Sequence, residues 1–118
     1  MAKAQRFFIT VDSVAESRGD AAELSFNGGS PEHLASVLQG ALREPVLWQR
    51  WRAMQEDPDE VDPATGVTDP TATVTGSLEA NRAELVITSS LPHAIVKHRL
   101  DLLIGRHWKL RDVSAARA

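Results

Sequence analysis

Apolar and polar residues alternate near the start of the chain. Phe7, Ile9 and Val11 interleave with Phe8, Thr10 and Asp12, the period of two that a half-buried strand requires. A polar stretch from Ser13 to Ala21 follows, with Gly19-Asp20 as a turn signal. Leu24 and Phe26 then alternate with Glu23 and Ser25, which predicts a short second strand and a hairpin, ended by Asn27-Gly28-Gly29. Ser30 is a good N-cap and Pro31 stands where a helix has no use for an N–H. Leu34, Val37, Leu38, Ala41 and Leu42 follow at helical spacing, so one face of this helix is apolar. Glu44-Pro45 breaks it, because a residue before proline avoids the helical region. A second short helix is expected through Val46, Leu47, Trp48, Trp51 and Met54.

Residues 56–70 lack apolar periodicity and hold three prolines and six acids. They read as a long, exposed, flexible acidic loop inside a single domain spanning 1–118. A second hairpin comes next: Ala72, Val74 and Leu78 on one strand, Ala83, Leu85 and Ile87 on the other, turning at Ala80-Asn81-Arg82. Ser89 or Ser90 with Pro92 opens a helix to Ile104, and Gly105 is a ready stop. In a last strand Trp108 and Leu110 point one way, with His107, Lys109 and Arg111 on the other face. A shift of 61 lays Ala22-Glu23-Leu24 on Ala83-Glu84-Leu85 and Pro31 on Pro92, a pattern consistent with an internal repeat of 22–42 and 83–103. The order ββα(α)ββαβ predicts an α+β fold: a mainly antiparallel sheet of about five strands with two to three helices on one face. Dropping the first strand leaves βαββαβ, so the expected topology is ferredoxin-like with an added N-terminal strand.

Composition changes this picture little until charge is divided along the chain. The 118 residues carry a net charge of −3 and no cysteine, which excludes disulfides, thiolate metal sites and cysteine nucleophiles. No apolar run approaches the ~20 residues that span a bilayer, and the N-terminus lacks a signal-peptide apolar region, so a cytoplasmic location is expected. Residues 1–53 are neutral, 54–90 carry −7 and 91–118 carry +4. The chain is therefore strongly polarised: its basic end is a candidate for an anionic partner, or the acidic segment lies against it within one molecule or between subunits, and a solvated or internal pairing is the leading reading.

Candidate chemistry is sparse. No phosphate loop occurs; Asn27-Gly28-Gly29-Ser30 is explained by a turn and an N-cap. The four histidines lack metal-ligand spacing, and the acids at 56–62 lack the glycine turn of a calcium loop. No local sequence sets a nucleophile beside a base, so no catalytic, cofactor or metal residue is assigned. Arg18-Gly19-Asp20 reads as a turn. Two surfaces stand out. Trp48, Trp51 and Arg52 on the second helix suit a partner-binding hot spot, unless the tryptophans complete the core. Lys97, Arg99, Arg106, Lys109 and Arg111 suit an anion or nucleic-acid surface, although stacking aromatics are missing from the strands. The leading expectation is a non-enzymatic protein-interaction domain, in the style of a bacterial accessory protein, docking through a strand edge or the tryptophan helix. A homodimer fits this reading, since small sheets hide an edge by pairing it. Nucleic-acid binding is the second reading, and a small-ligand or enzymatic cleft the third. Burial of both tryptophans would move the partner surface to the sheet edge.

Overall fold

A computed structural model describes residues 3–80 and 82–115. Four strands, β1 (Gln5–Val11), β2 (Thr73–Glu79), β3 (Arg82–Ser89) and β4 (Trp108–Ala115), form one antiparallel sheet in the order β2-β3-β1-β4. Three α-helices accompany it: α1 (Pro31–Arg43), α2 (Val46–Ala53) and α3 (His93–Ile104). The fold is thus α+β, with four strands instead of about five.

The alternation in the sequence decides which face is buried. Phe7, Ile9 and Val11 of β1 and Ala83, Leu85 and Ile87 of β3 all point into one core. There they meet Leu34, Leu38 and Leu42 from α1 and Val96, Leu100 and Ile104 from α3. The register sets Phe7 against Ile87 and Ile9 against Leu85, so the apolar residues of the two central strands coincide. Ser30 caps α1 by accepting from the His33 N–H at 3.1 Å. Gly105, at φ 64°, ends α3 in the left-handed region that favours glycine. The turn between β2 and β3 begins at Ala80, which also has positive φ; Asn81 lies outside the described residues.

The missing strand is the one expected around Leu24 and Phe26. Both side chains are buried, yet this stretch forms a turn in which the Leu24 and Ser25 N–H groups donate to the Ala21 carbonyl. The Phe26 N–H donates to Leu103 O at the end of α3, 2.8 Å away. The apolar pair plugs the helix layer and does not extend the sheet. Four residues of alternation are too few to tell a strand from a buried loop. The first predicted strand is therefore retained as β1, and the proposed repeat fails at its strand, since 22–24 turn where 83–85 pair. Arg18 belongs to the same plug: it donates to the carbonyls of Val14, Ser17 and Gly28.

The two sheet edges differ. At the start of the β2 edge the Val74 N–H donates to Gln39 Oε1 (3.0 Å) and Arg43 Nε donates to Ala72 O (2.6 Å), so α1 side chains satisfy two outer backbone groups there. The helix comes so close that a Cβ on Gly76 would lie 2.3 Å from the Pro31 carbonyl oxygen. At β4 no described strand lies outside, and a bulge between Phe8 and Ile9 leaves Arg111 as the extra residue.

Asp69 locks the junctions. Its Oδ1 accepts from the Thr71 N–H and hydroxyl, and its Oδ2 from the Ser89 hydroxyl and the Ser90 N–H, all within 3.0 Å. Its own N–H donates to Leu42 O. One buried carboxylate thereby ties the end of α1, the approach to β2 and the β3–α3 turn. Burial alone would raise its pKa, but the hydrogen bonds from Thr71, Ser90 and Ser89 together outweigh this and hold it at about 2, against the ordinary 3.8. Asp69→Ala should lower the unfolding free energy by about 2–4 kcal/mol in urea titrations, since several donors lose an ionised acceptor. Because the folded pKa is depressed, this stabilisation is complete above the unfolded value and disappears as pH falls through about 2. Asp69→Asn should remove that part of the acid dependence; an unchanged acid limb would count against the assignment.

Candidate functional site

The buried guanidinium of Arg99 organises the region around α2. Arg99 is 1% exposed. Its Nη2 donates to the Thr65 carbonyl at 2.8 Å, and its Nη1 lies 2.8 Å from His98 Nδ1. An arginine only donates, so His98 Nδ1 must accept and the imidazole is neutral with its proton on Nε2. Burial first, and the Arg99 charge second, push the His98 pKa down, with Lys97 adding to this and Asp101 opposing it. Arg99 was expected on an accessible basic face; it lies inside, where its charge holds backbone carbonyls.

The segment so anchored forms two short 3-10 turns, Pro58–Glu60 and Pro63–Gly66. It lies against one side of α2. Trp48 Nε1–H donates to Thr65 Oγ1 (3.0 Å), and Arg52 donates to Pro58 O and lies 3.8 Å from Asp59. The Trp48 ring sits so near Gly66 that an added Cβ there would be 2.7 Å from Cε3. Trp48 is buried by this segment, and the Arg52 guanidinium covers the ring at 5.8 Å. These two residues are structural supports and do not form an open hot spot. Trp51 is different: it is half-buried, with its ring edge-to-face against His98 at 4.5 Å.

The other side of α2 is open. At 100° per residue, Val46, Arg50, Met54, Leu47 and Trp51 occupy one continuous arc. Val46 is 54% and Met54 49% exposed, unusual for residues that would normally supply a core. A cavity of about 360 Å³ lies at the Val46 end, lined by Leu47, Leu24, Val37 and Leu103 with Glu23 and Glu44 at its wall. A second, of about 450 Å³, lies at the Met54 end among Trp51, His98, Leu102, Asp20 and Asp101. Buried Leu24 lines both. The sequence supplied the helix, with Val46 and Met54 on it, and a turn signal at Gly19-Asp20, but nothing in it told that Val46 and Met54 face outward or that 20–24 lines the cavities.

The basic residues do not assemble into one surface. Lys97 pairs with Asp101 at 2.7 Å, and Arg111 pairs with Glu84 at 2.9 Å across the open sheet face. Arg106 and Lys109 line one small depression with His107, but Asp12 shares it. On that sheet face the register sets Phe8 opposite Val86, and Phe8 is its one aromatic among the described residues. Among those residues no three His, Cys, Asp or Glu side chains gather as a metal site, and no helix is long and apolar enough to cross a membrane. In comparisons with known proteins, no family model, curated protein or solved structure matches the chain.

The Arg99–His98 contact generates a pH effect whose sign is fixed. The folded pKa of His98 is depressed, so its neutral form is favoured by folding. Stability from this source is complete above the ordinary 6.5 and declines as pH falls from there toward the folded value. Denaturant midpoints measured from pH 7.5 to 5 should fall for the parent chain and stay flatter for His98→Gln, whose amide oxygen can still accept from Arg99. Equal slopes would show that the histidine does not titrate in this contact.

Proposed function

We propose that the protein is a non-enzymatic interaction domain that docks a protein partner on the open side of α2. The observation that carries this reading is the exposure of Val46 and Met54 on one arc of α2, with half-buried Leu47 and Trp51 between them and a cavity at each end. Exposed apolar patches rimmed by polar residues mark interaction sites, and a half-buried tryptophan beside a cavity is a common anchor. The element order and the strand order β2-β3-β1-β4 support the ferredoxin-like arrangement, with α2 an addition between α1 and β2. That arrangement accounts for the sheet and two helices and leaves α2 free for another task. A second copy of the chain is one possible occupant, in keeping with a homodimer.

A photo-cross-linking side chain at Met54 tests this in the cell of origin. A discrete adduct is expected from Met54, none from exposed Thr75 on β2, and loss of the adduct when Val46→Asp is added. An adduct of twice the chain mass identifies the second copy. Identical adducts from Met54 and Thr75 would remove the docking assignment.

A further inference from the structure

The chemistry around α2 also specifies what kind of partner fits it, an inference that rests on the docking reading above. The arc carries four apolar side chains with Arg50 among them, and the border that lines the cavities is carboxylate-rich. On that border stand Asp20, Glu23 and Glu44, which line the two cavities and take no part in an ion pair among the described residues. Asp101 lines the second cavity too, but Lys97 already neutralises it. The acidic segment at 56–62 lies on the opposite side of α2, against Trp48 and Arg52, where Arg52 already pairs with Asp59, and it lines neither cavity. Arg50, which donates to the Glu23 carbonyl at 2.8 Å, is the one cationic side chain lining either cavity among the described residues, so three unpaired carboxylates stand against a single guanidinium. His98 adds no charge, because Arg99 requires it to be neutral.

The spacing is equally informative. Val46 and Met54 are eight residues apart, about 12 Å along a helix. Two side chains at i and i+7 of a partner helix stand about 10.5 Å apart on nearly the same side, which matches one anchor at each cavity. Helices that dock in apolar grooves use such i, i+3, i+4 and i+7 anchors. We propose that the α2 surface accepts a basic amphipathic helix from a partner protein, with an apolar side chain in each cavity and lysines or arginines facing Asp20, Glu23 and Glu44.

The test uses the full chain and two synthetic 15-residue peptides with leucine at i, i+4, i+7 and i+11. All other positions are lysine in one peptide and glutamate in the other. Fluorescence anisotropy of the labelled peptide gives the affinity, and the Trp51 indole N–H resonance locates the contact. The lysine peptide should bind saturably and at least ~10-fold more tightly than the glutamate peptide. The double variant Asp20→Lys/Glu23→Lys, both positions exposed, should weaken the lysine peptide at least ~5-fold and reverse part of the preference. Circular dichroism of the variant checks that it is folded. Equal affinity for the two peptides would overturn the basic-partner inference while leaving the docking surface in place. A lysine-peptide affinity indifferent to the double variant, or no shift at Trp51, would overturn it as binding elsewhere. If neither peptide binds, the inference falls, and the Met54 cross-link separately decides whether the surface docks anything.

Discussion

A guanidinium held away from water, without a carboxylate among its described contacts, is the constraint on which the α2 region depends. Arg99 satisfies its donors with two backbone carbonyls and one imidazole nitrogen. Burial lowers its pKa, but arginine stays protonated at neutral pH. The charge must therefore be met by oriented dipoles, and those dipoles come from Thr65, Val67 and His98. Fixing Thr65 fixes the acceptor for the Trp48 indole, and Trp48 in turn seats α2. Removing one partner from such a chain would leave polar groups buried and unsatisfied, which costs more than the hydrogen bond itself contributes.

Sheet and helices answer to a simpler constraint. β1 and β3 place their apolar residues on one face, and α1 and α3 cover that face with leucine, isoleucine and valine. Asp69 then sets where the connections join. The open face of the sheet keeps threonines and charged residues, as antiparallel sheets with one solvated face do. Trp51, Val46 and Met54 stand outside this core. Val46 and Met54 are left exposed, and Trp51 is half-buried against His98.

Much of this was legible in the sequence, and the failures have physical reasons. Long alternations, such as Phe7 to Val11 and Ala83 to Ile87, give reliable strands, and Pro31, Pro92 and Gly105 mark helix ends. The Leu24–Phe26 alternation misleads because a short plug and a short strand bury the same residues. Arg99 resembles its basic neighbours in composition, and only the proximity of Thr65, 34 positions earlier, turns it inward. Asp69 sits among surface acids in the sequence, yet its carboxylate is the one that the fold surrounds with donors. Of the cluster Trp48, Trp51 and Arg52, the first and last pack against the 58–66 segment and Trp51 stands half-buried beside His98, a division that helical spacing alone does not reveal.

The net charge of −3 conceals a molecule whose acidic middle borders α2, while its basic end lies largely on α3 and β4. The inequality of the sheet edges has a separate consequence for assembly. Gln39 and Arg43 occupy two outer backbone groups at the start of the β2 edge, whereas no such contact covers β4 among the described residues, so β4 is the readier edge for an added strand. Two molecules joining there would each cover their more open edge and turn the partly covered β2 edges outward. Strand exchange in this protein would then favour a pair over the repetitive stacking that builds a fibril.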